Sequence, residues 1–243
     1  MYYYIFAPSS APRGLELYAQ IKQHLAALGI AGELVTPSPG RDVETLVRMA
    51  VEKRYSTVVA VGDPGHVNRI ARAMENYDAV LGIIPTSSHP DLISLIGTGD
   101  WKEAAEQLKK RRVHEVPMGC LNETINFLTP ASVQLGDEIG YLGTQGYNAT
   151  IIGGQLSVSV VADGGKVQLC CKVIEPIEEL RGVRKLFAKT SAIPDPTILF
   201  APAMELTTSK NMEVIVAGDV VCNTPVRFSL RPKQLRLVAS RAN

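Results

Sequence analysis

The spacing of apolar residues changes near the middle of the chain. In the first half, short apolar runs at 58–61 and 80–84 alternate with segments whose apolar residues recur at helical spacing. One such segment places Leu15, Tyr18, Ile21, Leu25 and Leu28 on a single face. Strands that alternate with helices across short links predict a mostly parallel sheet with helices on both faces.

After about residue 114 the helical spacing nearly disappears. Leu156, Val158 and Val160 alternate with serines, which is typical of a half-exposed antiparallel strand. Further strands are predicted over 124–128, 132–135, 167–174, 212–217, 226–230 and 235–239, with one helix over 177–188. We therefore expect a Rossmann-like parallel α/β domain over 1–114 and an antiparallel β-sandwich or flattened barrel over 115–243. A cleft between the two domains is the default ligand site.

Charge and composition limit which binding partners and which cellular location we expect for this chain. The formal net charge of the 243 residues is +1, so there is no bias toward polyanions and nucleic acid is excluded as a first hypothesis. The apolar run at 1–6 lacks basic residues before it and stops at Pro8, and no stretch is long enough to span a bilayer. Four cysteines show neither disulfide nor zinc spacing, which indicates reduced thiols and a cytoplasmic location.

The stretch at 58–69 organises the first half. A buried strand ends in a turn that contains Gly62, Asp63, Pro64 and Gly65, and helical spacing resumes at Val67. A strand, a tight glycine loop and a helix start form the unit that binds phosphate in many α/β proteins, because the first N–H groups of a helix are unpaired and its dipole favours an anion.

This stretch resembles the signature loop of the superfamily that contains diacylglycerol kinase, sphingosine kinase and NAD kinase, which reads roughly V-V-A-V-G-G-D-G-T-V-N-E. The chain keeps residues 58–62, Gly65, Val67 and Asn68 of that pattern. Where the pattern has its second Gly, its Asp, its Thr and its Glu, this chain has Asp63, Pro64, His66 and Arg69, in that order. The scaffold residues are kept, and those that would contact a nucleotide are changed.

Weaker resemblances extend over most of the chain. The residues at 81–85 are identical to the common form of the family's fourth strand, and the loop after it retains Asp91, with Ser88 in place of Thr. The segments 162–167, 217–226 and 231–237 are similar to later family motifs. The resemblance implies that the last strand returns toward the first domain.

The resemblance implies an ATP- and magnesium-dependent lipid kinase, with a set of matching site residues. Its nucleotide-contacting positions are Gly62, Asp63, Gly65, His66, Asn68, Ser88, His89 and Asp91. Asp219 stands where the family has its general base, and Asp163 stands where a carboxylate would hold magnesium. Each acid also has a plainer interpretation: Asp163 and Asp219 suit hairpin turns, and Asp91 suits the first turn of a helix that begins at Pro90.

The changed positions argue against ATP binding in the family's manner. Pro64 has no N–H to offer a phosphate, and Asp63 places an anion where phosphate would lie. His66 and His89 add bulk to two loops that we expect to face the interdomain cleft, near Asp63 and Asp91. A plainer interpretation makes both of them exposed loop histidines.

Two functions from different classes follow. The first is a non-catalytic relative of the lipid kinases that needs no cofactor and holds another small molecule, a lipid or a partner in the interdomain cleft. The alternative is an active kinase that uses ATP and magnesium to phosphorylate a diacylglycerol-like hydroxyl. Both leave open a peripheral contact with membranes and a homodimer.

Overall fold

The computed structural model describes residues 1–163, 166–174 and 196–240. The helix predicted over 177–188 and the turn at 164–165 lie outside the described residues. The chain divides into two compact units, which are described separately: the first comprises Met1–Met118, Asn126–Thr129 and Arg231–Asn243, and the second comprises Gly119–Ile125 and Pro130–Leu230.

The first unit is a six-stranded sheet with helices on both faces. Its strands are β1 (Tyr2–Phe6), β2 (Glu33–Val35), β3 (Thr57–Gly62), β4 (Val80–Pro85), β5 (Val113–Val116) and β16 (Leu235–Val238), and its helices are α1 (Pro12–Ala27), α2 (Val43–Glu52), α3 (Pro64–Ala73), α4 (Pro90–Ile96) and α5 (Trp101–Lys110). The strand order is β2-β1-β3-β4-β16-β5. The strands from β2 to β16 run parallel, and β5 pairs antiparallel with β16. The predicted parallel α/β domain is therefore confirmed.

The two central strands explain why helices cover both faces of this sheet. Every residue of β3 and β4 is buried, which requires apolar cover above and below. One core contains Leu46 of α2 and Ile70 of α3, and the other contains Leu25 of α1 and Leu108 of α5. The helices thus lie in two layers, with the sheet between two hydrophobic cores.

Ion pairs fasten the returning C-terminal segment to the first unit. The Arg231 guanidinium pairs with the half-buried Glu75 carboxylate after α3, and Arg236 Nη1 lies 3.0 Å from Asp78 Oδ1. The Arg231 N–H donates to the Met118 carbonyl at 2.9 Å. These contacts place β16 beside β4, so the last strand completes the sheet that the first strand begins.

The second unit is built from antiparallel strands. They are β6 (Gly119–Leu121), β7 (Ile125–Phe127), β8 (Ala131–Gly143), β9 (Asn148–Asp163), β10 (Lys166–Ile174), β11 (Thr197–Ala201), β12 (Ala203–Thr208), β13 (Glu213–Val216), β14 (Asp219–Asn223) and β15 (Val226–Leu230). The strand order is β11-β10-β9-β8-β12-β15-β6-β7, and β13 joins β14 to β8.

Glycines with positive φ interrupt the regular backbone of β8 and β9, the two longest strands of this sheet. The register between β8 and β9 shifts around Gly136, whose φ is +59°, and β9 contains Gly153 and Gly154 with φ of +67° and +78°. Glycine takes this backbone region without a Cβ clash. The sheet folds so that β10 lies against β12 and β15, and the predicted antiparallel domain is confirmed.

The division of the chain differs from the one expected at residue 114. The first unit continues through β5 to Met118, because β5 pairs with the returning β16. It also includes Asn126–Thr129, so the last two residues of β7 belong to the first unit. Among the described residues, no helix has the length and apolar character needed to cross a membrane.

Ala217 provides a test of backbone strain in the second unit. Ala217 and Gly218 form the two-residue turn between β13 and β14, with φ of +52° and +91°. This turn favours Asn or Asp at its first position, because left-handed backbone costs an alanine roughly 1 kcal/mol. We predict that Ala217→Asn raises the free energy of unfolding by up to about 1 kcal/mol in urea denaturation.

Ala203→Asn is the matched control for this substitution. Ala203 lies in β12, where the backbone is extended and asparagine is disfavoured, so this variant should lose stability. An equal loss in both variants would show that Ala217 is not strained.

Candidate functional site

Three loops of the first unit meet at the carboxyl edge of its parallel sheet. Gly62 at the end of β3 pairs with Pro85 at the end of β4. The Ala7 N–H, just after β1, donates to the Val61 carbonyl at 2.8 Å, and the Thr86 N–H donates to the Gly62 carbonyl at 3.2 Å. The loops singled out in the sequence therefore emerge side by side, where ligands of open α/β sheets bind.

The chain itself occupies the N-terminus of α3. The Asp63 carboxylate accepts a hydrogen bond from the His66 N–H at 2.8 Å, and the Asp63 carbonyl accepts one from the Val67 N–H at 3.0 Å. Pro64 is the first residue of the helix and has no N–H to donate. The N–H groups of His66 and Val67 are thus used within the chain, and the next residue after Pro64, Gly65, is buried. A phosphate would meet a carboxylate here instead of free donors.

The expectation of an exposed histidine loop at 62–66 is wrong for His66. The helix begins at Pro64 and not at Val67, so His66 lies in its first turn, and its side chain is fully buried. Its Nε2 lies 2.9 Å from the Ile5 carbonyl of β1; because a carbonyl only accepts, Nε2 carries the proton. Among the residues that the structure describes, the buried Nδ1 finds no hydrogen-bond partner. His66 thus packs under the edge and does not face a ligand.

Burial lowers the pKa of His66, because the protein interior disfavours the imidazolium. The hydrogen bond to the Ile5 carbonyl opposes this effect, the nearby Arg69 charge adds to it, and Asp63 opposes it. Burial also raises the pKa of Tyr18, and the negative charge of Asp63 adds to this increase. The Tyr18 hydroxyl donates to the Ala7 carbonyl at 2.7 Å. Tyr18 was assigned only to the apolar face of α1, and no local signal marked it as part of this edge.

Gly62 is required by packing at this edge. A Cβ added to Gly62 would lie 2.9 Å from the Ala7 Cβ and 3.0 Å from the His66 Cβ and Cδ2. Contacts this short are excluded for a real side chain unless the neighbours move. The glycine that the family motif preserves therefore accommodates neighbouring side chains of this protein, whether or not a phosphate approaches.

Asn68 is also buried, and its amide is used entirely within the chain. Its Nδ2 donates to the Pro64 carbonyl at 2.9 Å and to Thr129 Oγ1 at 2.6 Å. Its Oδ1 accepts from the N–H groups of Leu128 and Thr129 at 2.8 and 3.3 Å. These four bonds exhaust the capacity of an asparagine side chain. Contrary to its assignment as a nucleotide contact, Asn68 joins α3 to the segment Asn126–Thr129.

The loop after β4, unlike the loop after β3, leaves its histidine accessible to solvent. His89 is the N-cap of α4, and its Nδ1 accepts from the Asp91 N–H at 3.3 Å and lies 3.5 Å from Asp91 Oδ2. Asp91 is thus a first-turn acid, as its plainer interpretation holds. Ser88 is exposed, and its Oγ would lie 2.6 Å from a Cβ on Gly99. The prediction that two histidines line one site fails, because only His89 is solvent-accessible.

The two acids assigned from later motifs belong to the second unit. Asp219 begins β14, directly after the Ala217–Gly218 turn, and is half-buried. Asp163 ends β9, opposite Lys166, and its side chain lies outside the described residues. Within the described part of the chain, no group of three or more His, Cys, Asp or Glu side chains is placed to hold a metal ion.

A groove of about 320 Å³ lies in the first unit. It is bounded by the solvent face of α5 and by a short stretch at the C-terminal side of the sheet, with the lining residues being Glu103, Glu106, Gln107, Lys110, Arg112, Ala239 and Ser240. None of the residues assigned to nucleotide contact lines this groove.

Comparison with known proteins identifies the same family as the motifs. Residues 2–121 match the family model of the diacylglycerol kinase catalytic domain. A putative diacylglycerol kinase from Bacillus anthracis str. Sterne has a similar structure, with a TM-score of 0.73 and 15% identity over 98% of this chain and 97% of that one. The yeast NADH kinase complexed with NADH aligns with a TM-score of 0.59 and 12% identity, over 100% of this chain and 84% of that one. No curated protein matches the sequence.

The burial of His66 predicts a dependence of stability on pH. Since its pKa is lowered in the folded state, the unfolded chain binds a proton more readily below about pH 6.5, and stability falls as the pH decreases through that value. We predict that His66→Gln loses stability at neutral pH through poorer packing, but that the difference from the native protein narrows toward pH 5. The measurement is urea denaturation across this pH range.

His89→Asn is the control, because it removes a partly exposed histidine and keeps a good N-cap residue. This variant should follow the pH profile of the native protein. Parallel profiles for the native protein and His66→Gln would contradict the assigned role of His66.

Proposed function

We propose that this chain, which belongs to the diacylglycerol kinase-like family, is a non-catalytic member that does not hold ATP and magnesium as a kinase would. The observation that carries the proposal is the occupied N-terminus of α3. Its donors are reduced by Pro64, and the Asp63 carboxylate accepts from the His66 N–H. The protein then acts as a binding or scaffold protein for another ligand, a lipid or a protein partner.

Electrostatics support this proposal as well as hydrogen bonding. A nucleotide phosphate is stabilised at a helix N-terminus by free N–H groups and the positive end of the helix dipole. Here a carboxylate from the chain compensates that end, and a phosphate would have to approach a like charge. The residues present at this edge do not fit Mg-ATP, and no step of phosphoryl transfer is derived from them.

The direct test is thermal denaturation of the full chain with millimolar Mg-ATP. A ligand at 100 times its dissociation constant stabilises the folded state by about 2.7 kcal/mol, which gives a clear rise in melting temperature. We expect no rise beyond that caused by magnesium chloride alone. Saturable stabilisation at micromolar Mg-ATP would reject the proposal and favour the active lipid kinase.

A second test opens the helix terminus. In the variant Asp63→Gly/Pro64→Asp, the carboxylate cap is removed, the His66 N–H is freed, and residue 64 gains an N–H. We predict that this variant becomes stabilised by Mg-ATP, although it starts from a slightly lower melting temperature because replacing an Asp N-cap by Gly costs about a few tenths of a kcal/mol.

Asp100→Gly is the matched control for the loss of the cap. Asp100 caps α5 through the N–H groups of Lys102 and Glu103, so its removal should lower stability without creating any response to ATP. Adding His66→Thr to the double variant completes the family pattern at the cost of a cavity, because His66 is fully buried. If both variants fold and neither responds to Mg-ATP, these substitutions are not what closes the site.

A further inference from the structure

The connection from α5 to β5 in the first unit carries an unbroken series of cations. We define the basic run as Lys109, Lys110, Arg111 and Arg112, all of which are exposed. The ion pairs found among the described residues of this unit engage other cations, such as those of Lys53, Arg231 and Arg236. Residues 241–243 lie outside the described residues, and their one charged side chain is also a cation. The basic run is therefore a local concentration of positive charge.

Compensation of the helix dipole accounts for only part of the basic run. Lys109 and Lys110 lie in the last turn of α5, where a positive charge stabilises a helix. Arg111 ends the helix in the left-handed conformation, with φ of +49°, and Arg112 lies beyond it. The last turns of α2 and α4 contain no basic residue, so the fold does not demand one at every helix end. The two arginines exceed what α5 needs.

The basic run leads directly into the end strand of the sheet. Among the described residues, β5 pairs only with β16, so its other edge is the outer edge of the sheet. The Ala239 N–H donates to the Arg112 carbonyl at 3.1 Å, and Val113 is the next residue along this ladder. In an antiparallel pair, residues that exchange hydrogen bonds alternate with residues that do not. The main-chain N–H and C=O groups of Val113 and Glu115 therefore point away from β16, toward the outer edge.

An extended peptide added to this edge would make favourable contacts along its length. Its main chain would bond to the outward groups of Val113 and Glu115, as in strand addition to other sheets. Val113 and Val116 are half-buried and pack against the two cores of this unit, so apolar side chains on an added strand would cover them further. Past Val113 the added strand reaches the basic run, where acidic side chains would be attracted.

Two other occupants fit this surface less well. Nucleic acid would bring a continuous series of phosphates, but the groove that Lys110 and Arg112 line also contains the carboxylates of Glu103 and Glu106. The formal net charge of +1 gives the chain no wider attraction for a polyanion. A second copy of the chain, paired through its own β5, would offer only the carboxylate of Glu115 to four cations. A peptide with a short acidic segment matches the charge better than either.

We propose that the outer edge of β5 binds an extended, acidic segment of a partner protein as an added strand, with carboxylates of that segment contacting the basic run. The main chain of β5 gives the affinity for any extended segment, and the four cations select an acidic one. This surface contains none of the residues assigned to nucleotide contact, so the proposal does not depend on whether the N-terminus of α3 is closed to ATP.

Fluorescence anisotropy of the full chain with a labelled synthetic peptide tests the proposal. The probe is V-V-T-V-D-E-D-E, with its acids last because an antiparallel strand ends where β5 begins. The native protein should bind this probe saturably. Replacing the four acids by lysines should weaken binding by about tenfold or more, because the charges then repel. N-methylation of the second and fourth residues, which would lie opposite Glu115 and Val113, should also weaken it by about tenfold, because it removes the main-chain donors of the added strand.

Arg111→Gly/Arg112→Gln tests the basic run in the protein itself. This variant should bind the acidic probe about tenfold more weakly and keep its stability, because glycine suits the left-handed backbone at position 111. Arg54→Gly/Arg13→Gln is the matched control, since Arg54 also has a left-handed backbone, with φ of +58°, and both arginines are exposed. The control loses the same charge and should bind the probe like the native protein.

Glu115→Pro separates strand addition from simple charge attraction. It removes the outward N–H together with a negative charge, so attraction alone would make the acidic probe bind more tightly, whereas strand addition predicts binding weaker by about fivefold. Glu115→Gln is its control and should bind at least as tightly as the native protein. Equal melting temperatures exclude unfolding, and if Glu115→Pro melts early, the N-methylated probe decides the same point.

Four results would overturn the proposal. They are no binding of the acidic probe to the native chain, native-like binding by Arg111→Gly/Arg112→Gln, equal binding of the N-methylated and unmodified probes, and displacement of the probe by a single-stranded DNA oligonucleotide of equal charge at a lower concentration than by the unlabelled peptide. The last result would assign the basic run to nucleic acid.

Discussion

The start of α3 depends on a chain of hydrogen bonds that the protein makes with itself. Asp63 accepts from the His66 N–H, and the His66 ring donates to the Ile5 carbonyl of the neighbouring strand. Because buried polar groups must find partners inside the protein, these bonds connect the loop, the helix and β1 into one arrangement. Donors that many α/β proteins offer to phosphate are here used in holding the helix in place.

Asn68 extends this arrangement into a distant part of the sequence. Its four hydrogen bonds hold the segment Asn126–Thr129 against α3, and Arg72 Nε on the same helix donates to the Asn126 carbonyl at 2.8 Å. Replacing a fully buried, fully bonded asparagine leaves its partners unsatisfied, which costs about 1–3 kcal/mol for each group. Gly62 and Asn68 therefore preserve a family motif for reasons of packing and internal hydrogen bonding, while Asp63, Pro64 and His66 between them differ from it.

The surfaces of the two units differ in chemical character. In the first, the sheet edge is filled by a carboxylate cap and a buried imidazole, and the returning β16 is tied down by the ion pair of Arg231 and Glu75. In the second, bent antiparallel strands leave apolar side chains on an outer face. A compensated helix terminus disfavours anions, whereas an apolar surface gains free energy whenever water is removed from it.

Local pattern determined the elements and their class. Continuous apolar runs in β3 and β4 require cover on both faces, and alternation in β9 requires one exposed face, so both folds follow from the sequence. The sequence also placed the two loops at one sheet edge, because parallel strands end together. Only the tertiary structure decided that Asp-Pro begins a helix at Pro64, that His66 is buried and that Asn68 binds residues 126–129. Short polar residues such as Asp63 suit both turns and helix caps, so the local sequence does not distinguish the two. The residues that fix the arrangement by hydrogen bonds lie about 60 positions away in the chain, as Ile5 does from His66.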